Sequence, residues 1–80
     1  MPTVLRHEGF RFFFYSNEGD PREPPHVHVR RGGAEAKFWL LPGVEMARSA
    51  GFDAPTLRRL AEVVERNREM FLREWHGYFG

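Results

Sequence analysis

Residues 26–40 read HVHVRRGGAEAKFWL, and the alternation within them decides the fold. Side chains on a strand point to opposite faces in turn, so Val27 and Val29 fall on one face and His26, His28 and Arg30 on the other. After Arg31-Gly32-Gly33 the pattern resumes, with Ala34, Ala36, Phe38 and Leu40 alternating with Glu35, Lys37 and Trp39. Two alternating runs joined by a glycine turn predict an antiparallel hairpin, His26 to Arg30 and Ala34 to Leu40, with one apolar face.

The same reading extends outward. Thr3 to His7 is a candidate first strand, Glu8-Gly9 a tight turn, and Phe10 to Tyr15 a second strand that places Phe10, Phe12 and Phe14 on the apolar side and Arg11, Phe13 and Tyr15 opposite. Ser16 to Pro25, SNEGDPREPP, carries three prolines and a glycine and reads as a loop, stiffened near its end by Pro24 and Pro25. Downstream, Pro42-Gly43 marks a turn and Val44 to Ala47 a short fifth strand. From Ala54 to His76 the period changes to that of one long helix, capped by Asp53 or Ala54, with Pro55 in the first turn. Leu57, Leu60, Ala61, Val64, Phe71 and Trp75 form its apolar stripe, which should cover the sheet. Arg58 with Glu62, Glu62 with Arg66 and Glu69 with Arg73 fall at i, i+4 on the solvated side. The expectation is a single α+β domain over residues 1–80: a small, mainly antiparallel sheet of four or five strands packed on one long C-terminal helix.

Composition narrows the function classes. A chain of 80 residues buries only about 60% of the surface its unfolded form exposes. The absence of cysteine excludes disulfides and thiolate metal cages. Eight phenylalanines, two tryptophans and two tyrosines supply the packing instead, and self-association into a dimer is another way for so small a domain to bury them. Twelve basic and eleven acidic residues leave a net charge of +1, so a basic site must be local rather than spread over the surface. No apolar run reaches the roughly 20 residues of a membrane span, and the N-terminus lacks the order of a secretory signal. The expectation is a cytoplasmic protein.

With one helix to cover the apolar face, the other face should carry Arg11, Phe13, Tyr15, His26, His28, Arg30, Glu35, Lys37 and Trp39. Imidazoles, cations and rings together suit base stacking and phosphate neutralisation, or burial against a second subunit. Three chemistries fit the His26/His28 pair. As metal ligands, two imidazoles at i, i+2 share a face and could reach one ion, with Glu23 or Glu35 as an oxygen ligand. As general acid and base, His26 or His28 beside Arg30, Lys37 and Tyr15 would suit a metal-independent ribonuclease. As structural groups, they would hydrogen-bond to the backbone or a carboxylate on a half-buried strand.

The order FRFFFYSNEGDPREPPHVHVRRGGAEAKFWLLP, followed by a helix ending REWHGYF, resembles the small prokaryotic family known as domain of unknown function 4160. The likeness runs from Met1-Pro2-Thr3 to Phe79 and is most specific at Glu23-Pro24-Pro25-His26-Val27-His28-Val29, Ala36-Lys37-Phe38-Trp39-Leu40 and Trp75. Asp20-Pro21-Arg22 make the loop before Glu23 slightly longer than the family pattern. The resemblance implies one half of a toxin-antitoxin-like pair and assigns no catalytic residue. The functional expectation is a component of such a module, binding a small cognate protein, and RNA as a further ligand, through the sheet face. Its binding residues would be Glu23, Arg11, Tyr15, Arg30 and Trp39. An enzymatic version would be a metal-independent ribonuclease-type toxin with His26, His28 and Lys37 catalytic and no cofactor. The alternatives are a non-catalytic dimeric or structural module, or a divalent-metal domain using His26 and His28.

Overall fold

The computed structural model describes residues 2–16 and 23–80. Most of the loop expected over Ser16 to Pro25, including the three extra residues before Glu23, lies outside the described residues. Five antiparallel strands, β1 (Thr3–His7), β2 (Phe10–Phe13), β3 (His26–Arg31), β4 (Ala34–Trp39) and β5 (Glu45–Ala50), form one sheet in chain order. Two helices follow, α1 (Ala54–Arg66) and α2 (Arg68–Phe79). The α+β class and the antiparallel sheet expected from the sequence are therefore what the chain forms.

The turns fix the register. Glu8 and Gly9 both take positive φ, 52° and 82°, the backbone of a two-residue hairpin turn whose twist matches that of the strands. Arg6 is thereby set opposite Arg11. Gly32, at φ 59°, likewise closes β3 onto β4, with Arg30 opposite Glu35 and His28 opposite Lys37. At the end of β5, Gly51 has φ 92°, and a Cβ there would stand 2.9 Å from the Ala34 Cβ. Glycine is the residue that tolerates both the conformation and the contact.

The apolar side of the sheet is as the alternation predicts. Phe10, Phe12, Phe14, Val27, Val29, Ala36, Phe38 and Leu40 pack with Leu60, Val63, Val64, Phe71 and Trp75 from the helices in one core. Phe12 stacks on Phe71 with centroids 5.8 Å apart, and Phe14 meets Trp75 edge-on at 5.3 Å. Leu57 and Ala61 sit at the edge of this core, half-buried. Asp53 is the cap, its carboxylate accepting from the Thr56 N–H at 2.9 Å, and Arg58, Glu62, Arg66, Glu69 and Arg73 are exposed.

The second strand ends at Phe13 rather than Tyr15 and the fourth at Trp39 rather than Leu40, and two further departures from the sequence reading are larger. The fifth strand runs to Ala50 rather than stopping at Ala47, because Glu35 to Trp39 offer a full edge to pair with, and pairing outweighs the weak strand propensity of Arg48-Ser49-Ala50. The single long helix is two. Asn67 leaves helical geometry at φ −108°, ψ 12°, and its side-chain amide donates to the Val63 carbonyl at 2.8 Å. Asparagine competes in this way for backbone partners inside helices. The Arg68 guanidinium then donates to the carbonyls of Leu40 and Pro42, at 2.6 and 3.0 Å, and ties the start of α2 to the end of β4.

Candidate functional site

On the face away from the helices, the register sets the side chains in cross-strand rows. One row is Arg6, Arg11, Arg30, Glu35 and Ala50; the next is Thr3, Phe13, His28, Lys37 and Arg48. His26 and Trp39 begin a third, with Glu45 beside Trp39. Tyr15, just past β2, leans back over the second row.

The two inner rows are closed by ring packing. Phe13 stacks on His28 with centroids 5.6 Å apart and planes at 24°. Tyr15 meets the same imidazole edge-on at 4.5 Å. His26 stands edge-to-face with His28 at 5.1 Å and Trp39 at 5.4 Å, and its ring lies 4.9 Å from that of Trp75. Phe13, His26 and His28 are fully buried, and Lys37 is nearly so. The sequence pointed to an open binding face at these positions; in the structure they make a second, polar-aromatic layer of the interior. His26 Nδ1 lies 2.9 Å from the Pro24 carbonyl. A carbonyl can only accept, so that nitrogen carries the proton.

Polar bonds tie this layer to the surface. Glu35 Oε1 accepts from Arg30 Nη2 at 2.7 Å, while its Oε2 accepts from the Tyr15 hydroxyl at 3.1 Å and lies 3.5 Å from His28 Nδ1. Burial works to raise the Glu35 pKa, but the hydrogen bonds from Arg30 and Tyr15, with the charges of Arg30 and His28, outweigh it and hold the carboxyl below its ordinary value. Arg30 is correspondingly raised by its hydrogen bond and charge interaction with Glu35. Lys37 Nζ donates to Glu23 at 3.1 Å and sits 4.3 Å from the centre of the Trp39 ring.

All eight residues singled out as catalytic or binding therefore come together: Glu23, Arg11, Tyr15, His26, His28, Arg30, Lys37 and Trp39. They do so with unequal access, since the imidazoles are inside while Arg30 is exposed and Arg11 half-exposed. Among the described residues no group of three or more His, Cys, Asp and Glu side chains is placed to hold a metal ion. The sequence reading passed over Arg6. Its signal was the two-residue turn at Glu8-Gly9, which mirrors Arg6 onto Arg11 just as Gly32-Gly33 mirrors Arg30 onto Glu35.

The outer row is thus Arg6, Arg11 and Arg30 on three adjacent strands. Arg11 is held by the Phe13 ring, with its guanidinium carbon 4.7 Å from the centroid, and Arg30 approaches the same ring at 5.7 Å. Among the described residues neither Arg6 nor Arg11 has a carboxylate partner.

The model of the family described as a domain of unknown function, DUF4160, matches residues 9–76. The chain belongs to this family. The matched span takes in all of β2 through α1 and α2 as far as His76, and so every residue of the site except Thr3 and Arg6, which precede it. Within the matched span, Glu23 to Pro25 lead into β3, where the side chains of His26 and His28 are buried. No match was found among curated proteins or among solved structures. Among the described residues no helix is long and apolar enough to cross a membrane.

Proposed function

We propose that this DUF4160 chain is the binding component of a prokaryotic toxin-antitoxin-like module, and that it holds RNA through the phosphates with the Arg6-Arg11-Arg30 row. A small cognate protein is the other member of such a module. The observation that carries the reading is the row itself. Strands in a sheet lie about 5 Å apart, and like charges set directly opposite one another destabilise a sheet. Three arginines in register, two of them lacking a carboxylate partner among the described residues, would be relieved by an anion that lies across the strands. The guanidinium fork matches a phosphate oxygen pair, and the Phe13 ring beneath Arg11 keeps that fork extended. Local placement of this charge is consistent with a net charge of only +1.

In this reading His26 and His28 support the row from below. A substrate would find no exposed imidazole atom in this arrangement, so the geometry favours binding over a ribonuclease mechanism.

The test is titration of a fluorescein-labelled single-stranded RNA with wild type and with the Arg6→Ala, Arg11→Ala double variant across a salt series. The expected result is weaker binding by the double variant, with the slope of log K against log salt reduced by about 0.7 for each arginine removed, and RNA recovered intact from both. A folded double variant with wild-type affinity and slope would overturn the reading. RNA cleavage that disappears in His28→Ala would restore the enzymatic one.

A further inference from the structure

The three side chains of the arginine row are not equally available. Nε and Nη2 of Arg30 both donate to Glu35 Oε1, at 3.2 and 2.7 Å, and Nη2 also donates to the Tyr15 hydroxyl at 3.2 Å. That hydroxyl in turn donates to Glu35 Oε2 at 3.1 Å, which closes a ring of guanidinium, carboxylate and phenol. Two N–H groups of one guanidinium thus converge on a carboxylate oxygen, as they would on a phosphate oxygen. Arg6 and Arg11 differ, because among the described residues neither has a carboxylate partner. The register of β3 on β4 creates the Arg30 contact, since Arg30 and Glu35 stand directly opposite one another beside the Gly32 turn. It is therefore in place before any ligand arrives.

We infer, on the reading of the row as an RNA-binding surface, that Glu35 is a competitor for phosphate built into the site, which withholds Arg30 in the free protein so that Arg6 and Arg11 meet RNA first. The Glu35 side chain, 26% exposed, is more sheltered than that of Arg30 at 43%. An RNA phosphate therefore takes Arg30 by drawing the guanidinium outward, not by entering the ring. Glu35 is charged at neutral pH, because its hydrogen bonds from Arg30 and Tyr15 hold its carboxyl below the ordinary value against the opposing effect of burial. The grip is nevertheless breakable. A partly exposed pair holds weakly, and a polyanion already seated on Arg6 and Arg11 presents its next phosphate at high effective concentration. The carboxylate left behind keeps a donor in Tyr15. Arg48 lies diagonally across β4 and β5 from Glu35 and lines the same cavity of about 260 Å³, and diagonal neighbours are within reach of a long side chain. Past Arg30 the row continues with Glu35 and Ala50, so the same carboxylate ends the basic path at β3.

The experiment titrates the fluorescein-labelled single-stranded RNA with wild type, Glu35→Gln, Arg30→Ala and the double variant Arg30→Ala, Glu35→Gln, each below its melting transition. Glutamine keeps the shape of Glu35 and an oxygen for the Tyr15 hydroxyl, so the substitution removes charge alone. The expected result is binding about threefold to fivefold tighter in Glu35→Gln, the size of a partly exposed ion pair. Arg30→Ala should also cost more affinity in the Glu35→Gln background than in wild type, by a similar factor, and the Arg30 Nε–H resonance should move further on RNA addition in Glu35→Gln. If Glu35→Gln does not fold, Glu35→Asp, which keeps the charge but draws it back by one methylene, carries the same test with a smaller gain. Equal cost of Arg30→Ala in both backgrounds would overturn the inference, because Glu35 would then act only as a nearby like charge. Unchanged or weaker binding by a folded Glu35 variant would overturn it as well. Both outcomes leave the RNA-binding row standing as long as Arg6→Ala, Arg11→Ala still weakens binding. If that double variant binds like wild type, the reading of the row fails and the inference fails with it.

Discussion

Glu35 takes hydrogen bonds from Tyr15 and Arg30 and lies against His28, so its charge state bears on the site as a whole. Its folded pKa lies below the ordinary carboxylate value, which is about 4.3. The stabilisation from its ionised form is therefore complete above that pH and is lost as pH falls through the lower folded value. Asp53, held low by the Thr56 hydroxyl and N–H, has the same sign and fades in the same acid window. Glu35→Gln should lower the melting temperature at neutral pH and flatten the acid limb of the stability curve, measured by thermal denaturation from pH 7 to pH 2. An unchanged acid limb would mean that the carboxylate does not organise the site. Gly51 is a second residue whose role is set by geometry rather than chemistry. Gly51→Ala forces a positive φ on alanine and a clash with Ala34, and should cost more than about 1 kcal/mol in denaturant unfolding.

At the scale of elements, the strands were largely legible and the helix break was not. The hairpin strands β3 and β4 could be read because their alternation is strict, and the turns before β2 and β4 carry glycine at the positions that need it. The inward side of the histidine face was not legible. Alternation says that His26 and His28 share a face with Phe13 and Lys37, but not that rings from β2, Tyr15 and Trp39 close over it. The break at Asn67 was hidden for another reason: the apolar stripe from Leu57 to Trp75 stays roughly in phase across it, so periodicity carries no trace of the interruption. Its cause is one side-chain amide bonded to Val63, aided by Arg68 at the carbonyls of Leu40 and Pro42. Asn67→Ala removes the competing amide and favours a continuous helix, which would draw α2 off the sheet. The expected outcome is higher helix content by far-ultraviolet circular dichroism together with red-shifted, less buried tryptophan emission from Trp75.

For the whole molecule, two layers of aromatic packing meet at Trp75, which touches Phe14 on the apolar side and His26 on the other. Truncating so large a fully buried side chain costs about 3–5 kcal/mol, a large share of the 5–15 kcal/mol that typically holds a small domain. Trp75→Ala should therefore leave little folded protein at physiological temperature, and the loss should extend to the histidine layer, seen as collapse of the His26 and His28 ring resonances along with those of the core.

The strand order β1-β2-β3-β4-β5 follows the order of synthesis. Every strand leaving the ribosome finds its neighbour already made, so the sheet can grow by local steps, the kind of topology that folds quickly. The core face has no such provision. Phe10, Phe12, Phe14, Val27, Val29, Phe38 and Leu40 all precede α1 in the chain, and a nascent chain that has emerged only as far as Asp53 would present a complete sheet with its greasiest side bare. Within the cell, the interval before α2 emerges is the one in which a chaperone has most to protect.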